Sequence, residues 1–162
     1  MKRLLACLLG LCAIFALCAC AKGGNAKGWT FEVNGVSMEI GGKCADALKK
    51  LESGCKGTSE TGSCFGGKGA DVLYQYDGFR LKTNRTKAGD PDELLLEVEF
   101  TTDAVKTPEG ITVGDTAEAV KAAYGTPGSE SDSALAYVKG DTKLLFSLRS
   151  GKVSGVSYLY IQ

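Results

Sequence analysis

Few residues in this chain have side chains suited to catalysis. The chain contains no histidine, so the commonest general base and the commonest metal ligand are both missing. Glu97 and Glu99 lie two residues apart on a predicted strand, which places their carboxylates on one face about 7 Å apart. That separation fits a glycosidase pair, but an outward, solvated strand explains both residues more simply. We therefore predict no catalytic residue.

A second acidic group, formed by Asp90, Asp92 and Glu93, could offer oxygen ligands to calcium. It lacks the glycine spacing and the ligand order of a known calcium loop. We predict a solvated turn here, and neither a metal nor another cofactor.

The first 20 residues have the parts of an export signal. Lys2 and Arg3 precede an apolar run over residues 4–17, which ends in small residues. A membrane-spanning helix needs about 20 apolar residues, and this run gives way to a Gly- and Lys-rich stretch. The segment Leu17-Cys18-Ala19-Cys20 resembles a bacterial lipobox.

The resemblance to bacterial lipoproteins implies that residues 1–19 are a signal peptide and that the Cys20 thiol carries a diacylglycerol. Two acyl chains hold a protein stably on a membrane, whereas one does not. We expect residues 20–28 to be a flexible tether. The expected location is the extracytoplasmic face of the cell membrane, or the outer membrane in a cell that has two.

Three further cysteines, Cys44, Cys55 and Cys64, would then lie in an exported, oxidising setting. A helix between Cys44 and Cys55 would separate them by roughly 16 Å, while a disulfide needs Cα atoms within about 7 Å. A Cys55–Cys64 disulfide is the simplest prediction. A bridge from Cys44 to Cys64 and three reduced thiols remain open alternatives.

Charge and length limit the functional classes. Removing Lys2 and Arg3 lowers the basic count from 19 to 17, against 19 acidic side chains. This near balance argues against nucleic-acid binding, which needs a basic face. The remaining length suits one ordinary domain, which we expect to be a monomer.

Apolar periodicity predicts the elements that position these residues. Helices are predicted over residues 43–52 and 116–124, and residues 53–70, rich in Gly, Ser and Thr, are predicted to form a long loop. Two hairpins are predicted at Asn34-Gly35 and Asp77-Gly78. The predicted strands cover residues 29–33, 36–40, 72–76, 79–84, 93–101, 134–139, 143–149 and 152–161.

Strand alternation predicts which side chains are buried. Tyr74, Tyr76, Phe79 and Leu81 should share one face of their hairpin. In the strand over residues 93–101, one face should carry Leu94, Leu96, Val98 and Phe100, and the other Leu95, Glu97 and Glu99.

The order of elements indicates a repeat, since a helix followed by three strands occurs twice. Residues 38–43 correspond to residues 111–116 at an offset of 73, which also aligns Leu51 with Tyr124. The first repeat covers residues 29–109, including the N-terminal hairpin, and the second covers residues 110–162.

Several segments carry a family resemblance: GITVGDT at 110–116, YGTP at 124–127, GKVSGV at 151–156, SCF at 63–65 and YQYDGF at 74–79. The chain resembles the β-lactamase inhibitor protein family, the SmpA/OmlA (BamE-like) lipoproteins and lipoproteins of Gram-positive gut bacteria. The resemblance implies an α+β fold, with a curved antiparallel sheet and both helices on one face.

In the inhibitor family the other face of the sheet binds proteins, so the resemblance implies a binding face here. Its residues would be Gln75, Arg80, Lys82, Glu97, Glu99, Lys143, Ser147, Arg149 and Ser157. We therefore expect a non-catalytic interaction or assembly module, anchored to a membrane by lipid, whose partner is an envelope protein. The alternative is a lipoprotein that binds a small ligand, such as a peptide or a wall fragment.

Overall fold

The computed structural model of the chain describes residues 28–64 and 69–161. The predicted signal peptide, Cys20 and the tether up to residue 27 lie outside this range. The helices are α1 (Ala45–Leu51) and α2 (Ala117–Tyr124), and a short 3₁₀ turn over Glu52–Gly54 follows α1. The strands are β1 (Thr30–Val33), β2 (Val36–Glu39), β3 (Gly57–Gly62), β4 (Ala70–Gln75), β5 (Phe79–Arg85), β6 (Leu94–Phe100), β7 (Ser129–Ser131), β8 (Ala134–Lys139), β9 (Thr142–Arg149) and β10 (Lys152–Tyr160).

Eight strands form one sheet in the order β3-β4-β5-β6-β10-β9-β8-β7, with every neighbouring pair antiparallel. β1 and β2 form a separate antiparallel hairpin. The α+β class predicted from the sequence is confirmed. Within the described ranges, neither helix has the length and apolar character needed to cross a membrane.

Local signals in the sequence explain where these elements begin and end. Asn34 and Gly35 have φ angles of 51° and 73°, as a type I′ hairpin turn requires at both central positions. The Thr116 hydroxyl accepts a 3.2 Å hydrogen bond from the Ala119 amide and caps α2. Gly125, with φ of 78°, ends that helix.

The hydrophobic core covers one side of the sheet, which we call the inner face. Directly opposed residues of antiparallel strands point to the same side. One inner row consists of Leu81, Val98, Tyr158 and Leu144, and the next of Phe79, Phe100, Val156 and Phe146. All eight are buried, and α1, α2 and the β1–β2 hairpin contribute buried residues to the same cluster.

Both edge strands correct the sequence prediction. β3 lies inside the segment predicted as a loop, and β7 lies where no strand was predicted, so each helix is followed by four strands rather than three. The residues of β7 are all exposed, as are those of β3 except Gly57. An edge strand without a buried face leaves no apolar alternation in the sequence.

A second correction concerns the alternation in β6. The register with β5 shifts between Lys82 and Thr83, so Thr83 pairs with Leu95 and Lys82 with Glu97. This β-bulge turns Leu95 inward, where it is fully buried, and leaves Leu96 half-buried. The prediction that Leu95 faces outward was therefore wrong, whereas Val98 and Phe100 do face the core.

The predicted disulfide between Cys55 and Cys64 is not formed, and Cys44, Cys55 and Cys64 are all free thiols. The reason is β3, because it runs between the two predicted partners, and a six-residue strand spans roughly 17 Å. Cys44 is buried, and its Sγ donates to the Glu93 carbonyl. Burial, together with the Glu93 carboxylate, raises the pKa of Cys44 to about 12.

Candidate functional site

The side of the sheet opposite the core, which we call the outer face, carries the predicted binding residues. One outer row contains Gln75, Arg80, Glu99, Ser157, Leu145 and Ala136, and the neighbouring row contains Leu73, Lys82, Glu97, Leu159, Lys143 and Val138. Seven of the nine residues predicted for this face therefore lie in these two rows. Ser147 and Arg149 lie further along β9, about 7 Å and 13 Å from Leu145.

Charged side chains concentrate on the half of the outer face formed by β5 and β6. Arg80 Nη2 donates to Glu99 Oε2 at 2.6 Å. Lys82 faces Glu97 across the strands, yet its Nζ pairs at 3.2 Å with Asp71. Burial, with a smaller contribution from Glu99, raises the pKa of Glu97. Partly exposed ion pairs contribute at most about 1 kcal/mol each, so these charges define a surface more than they stabilise the fold.

The other half of the outer face carries an apolar patch, which the sequence prediction missed. Leu145 and Leu159 are half-buried, and Val138 is 60% exposed on the far side of Lys143 from Leu159. A signal for this patch is present in the sequence: Leu145 is apolar although its neighbours Leu144 and Phe146 already occupy the inward positions of β9. An apolar residue at an outward position indicates a surface that is not fully solvated.

The inner face holds a cavity of about 570 Å³, which we call the α1 cavity. It lies between α1, strands β3 and β4, and the connection of residues 86–93 between β5 and β6. Its lining residues are Ala45, Asp46, Leu48, Lys49, Glu52, Cys55, Thr58, Tyr74, Tyr76, Arg85, Gly89, Asp90, Pro91 and Glu93.

Glu93 is the most buried carboxylate of this cavity, with 4% of its surface exposed. Its Oε1 accepts hydrogen bonds from the Tyr74 hydroxyl at 2.9 Å and the Thr83 hydroxyl at 2.5 Å. Burial, and then Glu93, raise the pKa of Tyr74. Burial is also the main reason that the pKa of Tyr76 is raised to about 12. Both phenols are therefore neutral hydrogen-bond donors at neutral pH.

The acidic group considered for calcium has structural roles instead. Asp90 accepts from the Thr86 amide, the Thr86 hydroxyl and the Asp92 amide, which fixes the connection of residues 86–93. Asp92 forms an ion pair with Lys43. Within residues 28–64 and 69–161, no cluster of three or more Cys, Asp or Glu side chains is arranged to hold a metal ion.

The α1 cavity could not be found from the sequence, although Tyr74 and Tyr76 were correctly predicted to share a face with Phe79 and Leu81. Two walls of the cavity come from β3 and from the connection of residues 86–93, which were predicted as a loop and a solvated turn. Neither segment has a pattern that shows which side of the sheet it covers.

Comparison with known proteins gives no relative from which a role could be taken. No protein-family model, no curated protein and no solved structure matches this chain. The outer face and the α1 cavity are therefore the features on which a function must be argued.

Proposed function

We propose that this chain is a lipid-anchored protein on the extracytoplasmic face of a bacterial membrane, where the outer face of its sheet binds another envelope protein. The observation that carries the proposal is the pair of adjacent outer rows, half charged and half apolar. Their side chains are half-buried or exposed, while the inner rows behind them are buried.

The size of this face suits a protein partner. Eight strands at about 4.8 Å spacing and about 20 Å of strand length give roughly 700 Å². Specific interfaces bury about 600–1,000 Å² on each partner, so a flat contact would have to cover nearly the whole outer face to reach this range.

The chemistry of the face indicates what that partner presents. Leu145, Leu159 and Val138 offer an apolar patch, as the centres of interfaces do. The two outer rows contain three cations, Arg80, Lys82 and Lys143, and two carboxylates, Glu97 and Glu99, and Lys82 pairs with the additional carboxylate of Asp71. Charges of both signs are therefore balanced on this face. The partner we propose carries an apolar surface beside charged groups of both signs that complement those of β5 and β6, because complementary charges steer association.

We further infer that the two halves of the chain are repeats of one module related to the β-lactamase inhibitor protein and BamE-like families. The arrangement β3-β4-β5-β6 beside β10-β9-β8-β7 supports this, because corresponding strands occupy mirrored positions in the sheet. No catalytic step is part of the proposal.

The test is site-specific photocrosslinking in intact cells. A photoreactive residue at Leu159, on the outer face, should capture one protein reproducibly, while the same residue at Glu118, exposed on α2, should not. Reversing charge at Arg80 and Lys82 should abolish the adduct while leaving the circular dichroism spectrum unchanged. Equal capture from both positions, or capture that survives the charge reversal, would contradict the proposal.

The membrane anchor has its own test. Cys20→Ser should prevent incorporation of labelled fatty acid and move the protein from the membrane fraction to the soluble fraction. If the variant is still acylated and remains with the membrane, the proposed anchor is wrong.

The α1 cavity favours a second candidate function, the binding of a small ligand. Its volume lies within the range of about 300–1,000 Å³ found for ligand pockets. Charged side chains are more frequent in its lining than in a typical ligand pocket. This charge limits the classes of ligand that would fit the cavity.

A further inference from the structure

The carboxylate of Glu93 is incompletely satisfied by the protein. Both of its hydrogen bonds, from Tyr74 and Thr83, reach Oε1. Among the residues that the structure describes, no donor reaches Oε2, and no Lys or Arg lies within ion-pair distance of Glu93, although Arg85 attracts its charge from further away. Oε2 is not one of the fully buried side-chain atoms that lack a partner, so it borders accessible space. Buried carboxylates are normally paired or fully hydrogen-bonded, because an unpaired buried charge is costly.

The remaining cavity wall favours a cation over an anion. Besides Glu93, three of the charged residues that line the cavity are acidic and two are basic. Of the two basic residues, Arg85 is already ion-paired with Glu60 on the edge strand. Tyr74 and Tyr76 add aromatic rings, whose faces attract cations.

We propose that the α1 cavity binds a small organic molecule through a protonated amine, which donates to Oε2 of Glu93 and rests beside the Tyr74 and Tyr76 rings. This inference rests on the second candidate function and supplies its ligand class. It is independent of the outer face, which lies on the opposite side of the sheet, so either proposal can fail without the other.

The test uses tyramine as a probe and N-acetyltyramine as its uncharged match. Ligand-observed NMR on the purified full chain measures both affinities. Tyramine should bind at least about tenfold more tightly than its acetylated match, equivalent to about 1.4 kcal/mol. No binding of tyramine at millimolar concentrations, or equal binding of the two compounds, would overturn the proposal.

Glu93→Gln identifies the acceptor. The amide keeps an oxygen for the Tyr74 and Thr83 hydroxyls but replaces Oε2 with a donor, so tyramine binding should weaken by about tenfold or more. Glu118→Gln, an equivalent change on α2 outside the cavity, should leave it unchanged. Full tyramine affinity in a folded Glu93→Gln protein would show that Glu93 is not the acceptor.

A second pair of variants keeps the test decisive if Glu93→Gln fails to fold. Thr58 is exposed on β3 and lines the cavity, while Ser59, the next residue, points to the other face. Thr58→Trp should block tyramine binding and Ser59→Trp should not. If both variants bind tyramine equally, the site is not the α1 cavity. Crosslinking from Leu159 should be unchanged in Thr58→Trp, because Thr58 lies on the inner face.

Discussion

The two halves of the chain fill the space between helix and sheet in different ways. Beneath α2, Tyr124 packs within 5.8 Å of Trp29, 5.4 Å of Tyr137 and 5.2 Å of Phe146, measured between ring centroids. At the corresponding position of α1, Leu51 is also buried in the core, and the α1 cavity lies beside Ala45, Leu48 and Lys49 of that helix. The same order of elements can therefore leave the space between helix and sheet either filled with side chains or partly open.

The connections between strands account for this contrast. The connection between β5 and β6 covers residues 86–93, whereas β9 and β10 are joined by residues 150–151 alone. The longer connection forms a wall away from the sheet and leaves room behind it, so the half that is less tightly packed has the candidate ligand site.

Removing an aromatic ring from each half should produce the largest contrast. Phe146→Ala should lower the free energy of unfolding by about 3–5 kcal/mol, because a fully buried ring leaves an empty volume. Tyr76→Ala should cost only about 1–2 kcal/mol, since Tyr76 already borders the cavity and loses mainly its stacking on Phe79. Urea unfolding measures both values, and equal losses would mean that the two halves are packed alike.

Enlarging the first residue of each helix should give a smaller difference. Ala117 is buried at the start of α2, so Ala117→Leu should destabilise the protein by about 1–3 kcal/mol through overpacking. Ala45 is half-buried at the start of α1 and borders the cavity, so Ala45→Leu should stay within about 0.5 kcal/mol of the wild type. A large loss of stability in Ala45→Leu, measured by thermal unfolding, would contradict the presence of open space beside α1.

The smallest expected effect concerns the connection that forms the cavity wall. The Thr86 hydroxyl and the Asp92 and Thr86 amides lower the pKa of Asp90 to about 2. A depressed carboxyl pKa stabilises the fold above the unfolded-state value of about 3.9 and loses that effect as the pH falls towards the folded-state value. Asp90→Asn should therefore flatten the loss of stability between about pH 4 and pH 2. Asp132→Asn, on the exposed turn between β7 and β8, is the control. If this variant flattens the pH dependence of stability by the same amount, the effect is not due to Asp90.

Sequence patterns predicted the structure correctly at positions where a residue type favours one backbone conformation or one place in an element. Asn34-Gly35 specified its turn because few other residues accept positive φ twice. Thr116 and Gly125 bounded α2 because they satisfy the ends of a helix. β8 begins and ends at the predicted residues, since Leu135 and Tyr137 alternate with less buried neighbours.

The rest depended on contacts between distant parts of the chain. The bulge that turned Leu95 inward is a property of the pairing between β5 and β6, and β3 and β7 exist only because a neighbouring strand offers them hydrogen bonds. The α1 cavity has the same origin, since Glu93, Tyr74 and Thr58 converge from three separate segments. The outer rows were largely predictable because the alternation of side chains along each strand assigns them, and only Ser147 and Arg149 of the predicted residues lie outside these rows.

The position of β10 in the sheet has a consequence for folding. This C-terminal strand pairs with β9 on one side and with β6, more than fifty residues earlier in the chain, on the other. Until it is available, β6 and β9 both present unpaired edges, of the kind that invite contact with other chains. Pairing between strands so distant in sequence also slows folding. A chain synthesised from its N-terminus therefore cannot complete this sheet until β10 has emerged.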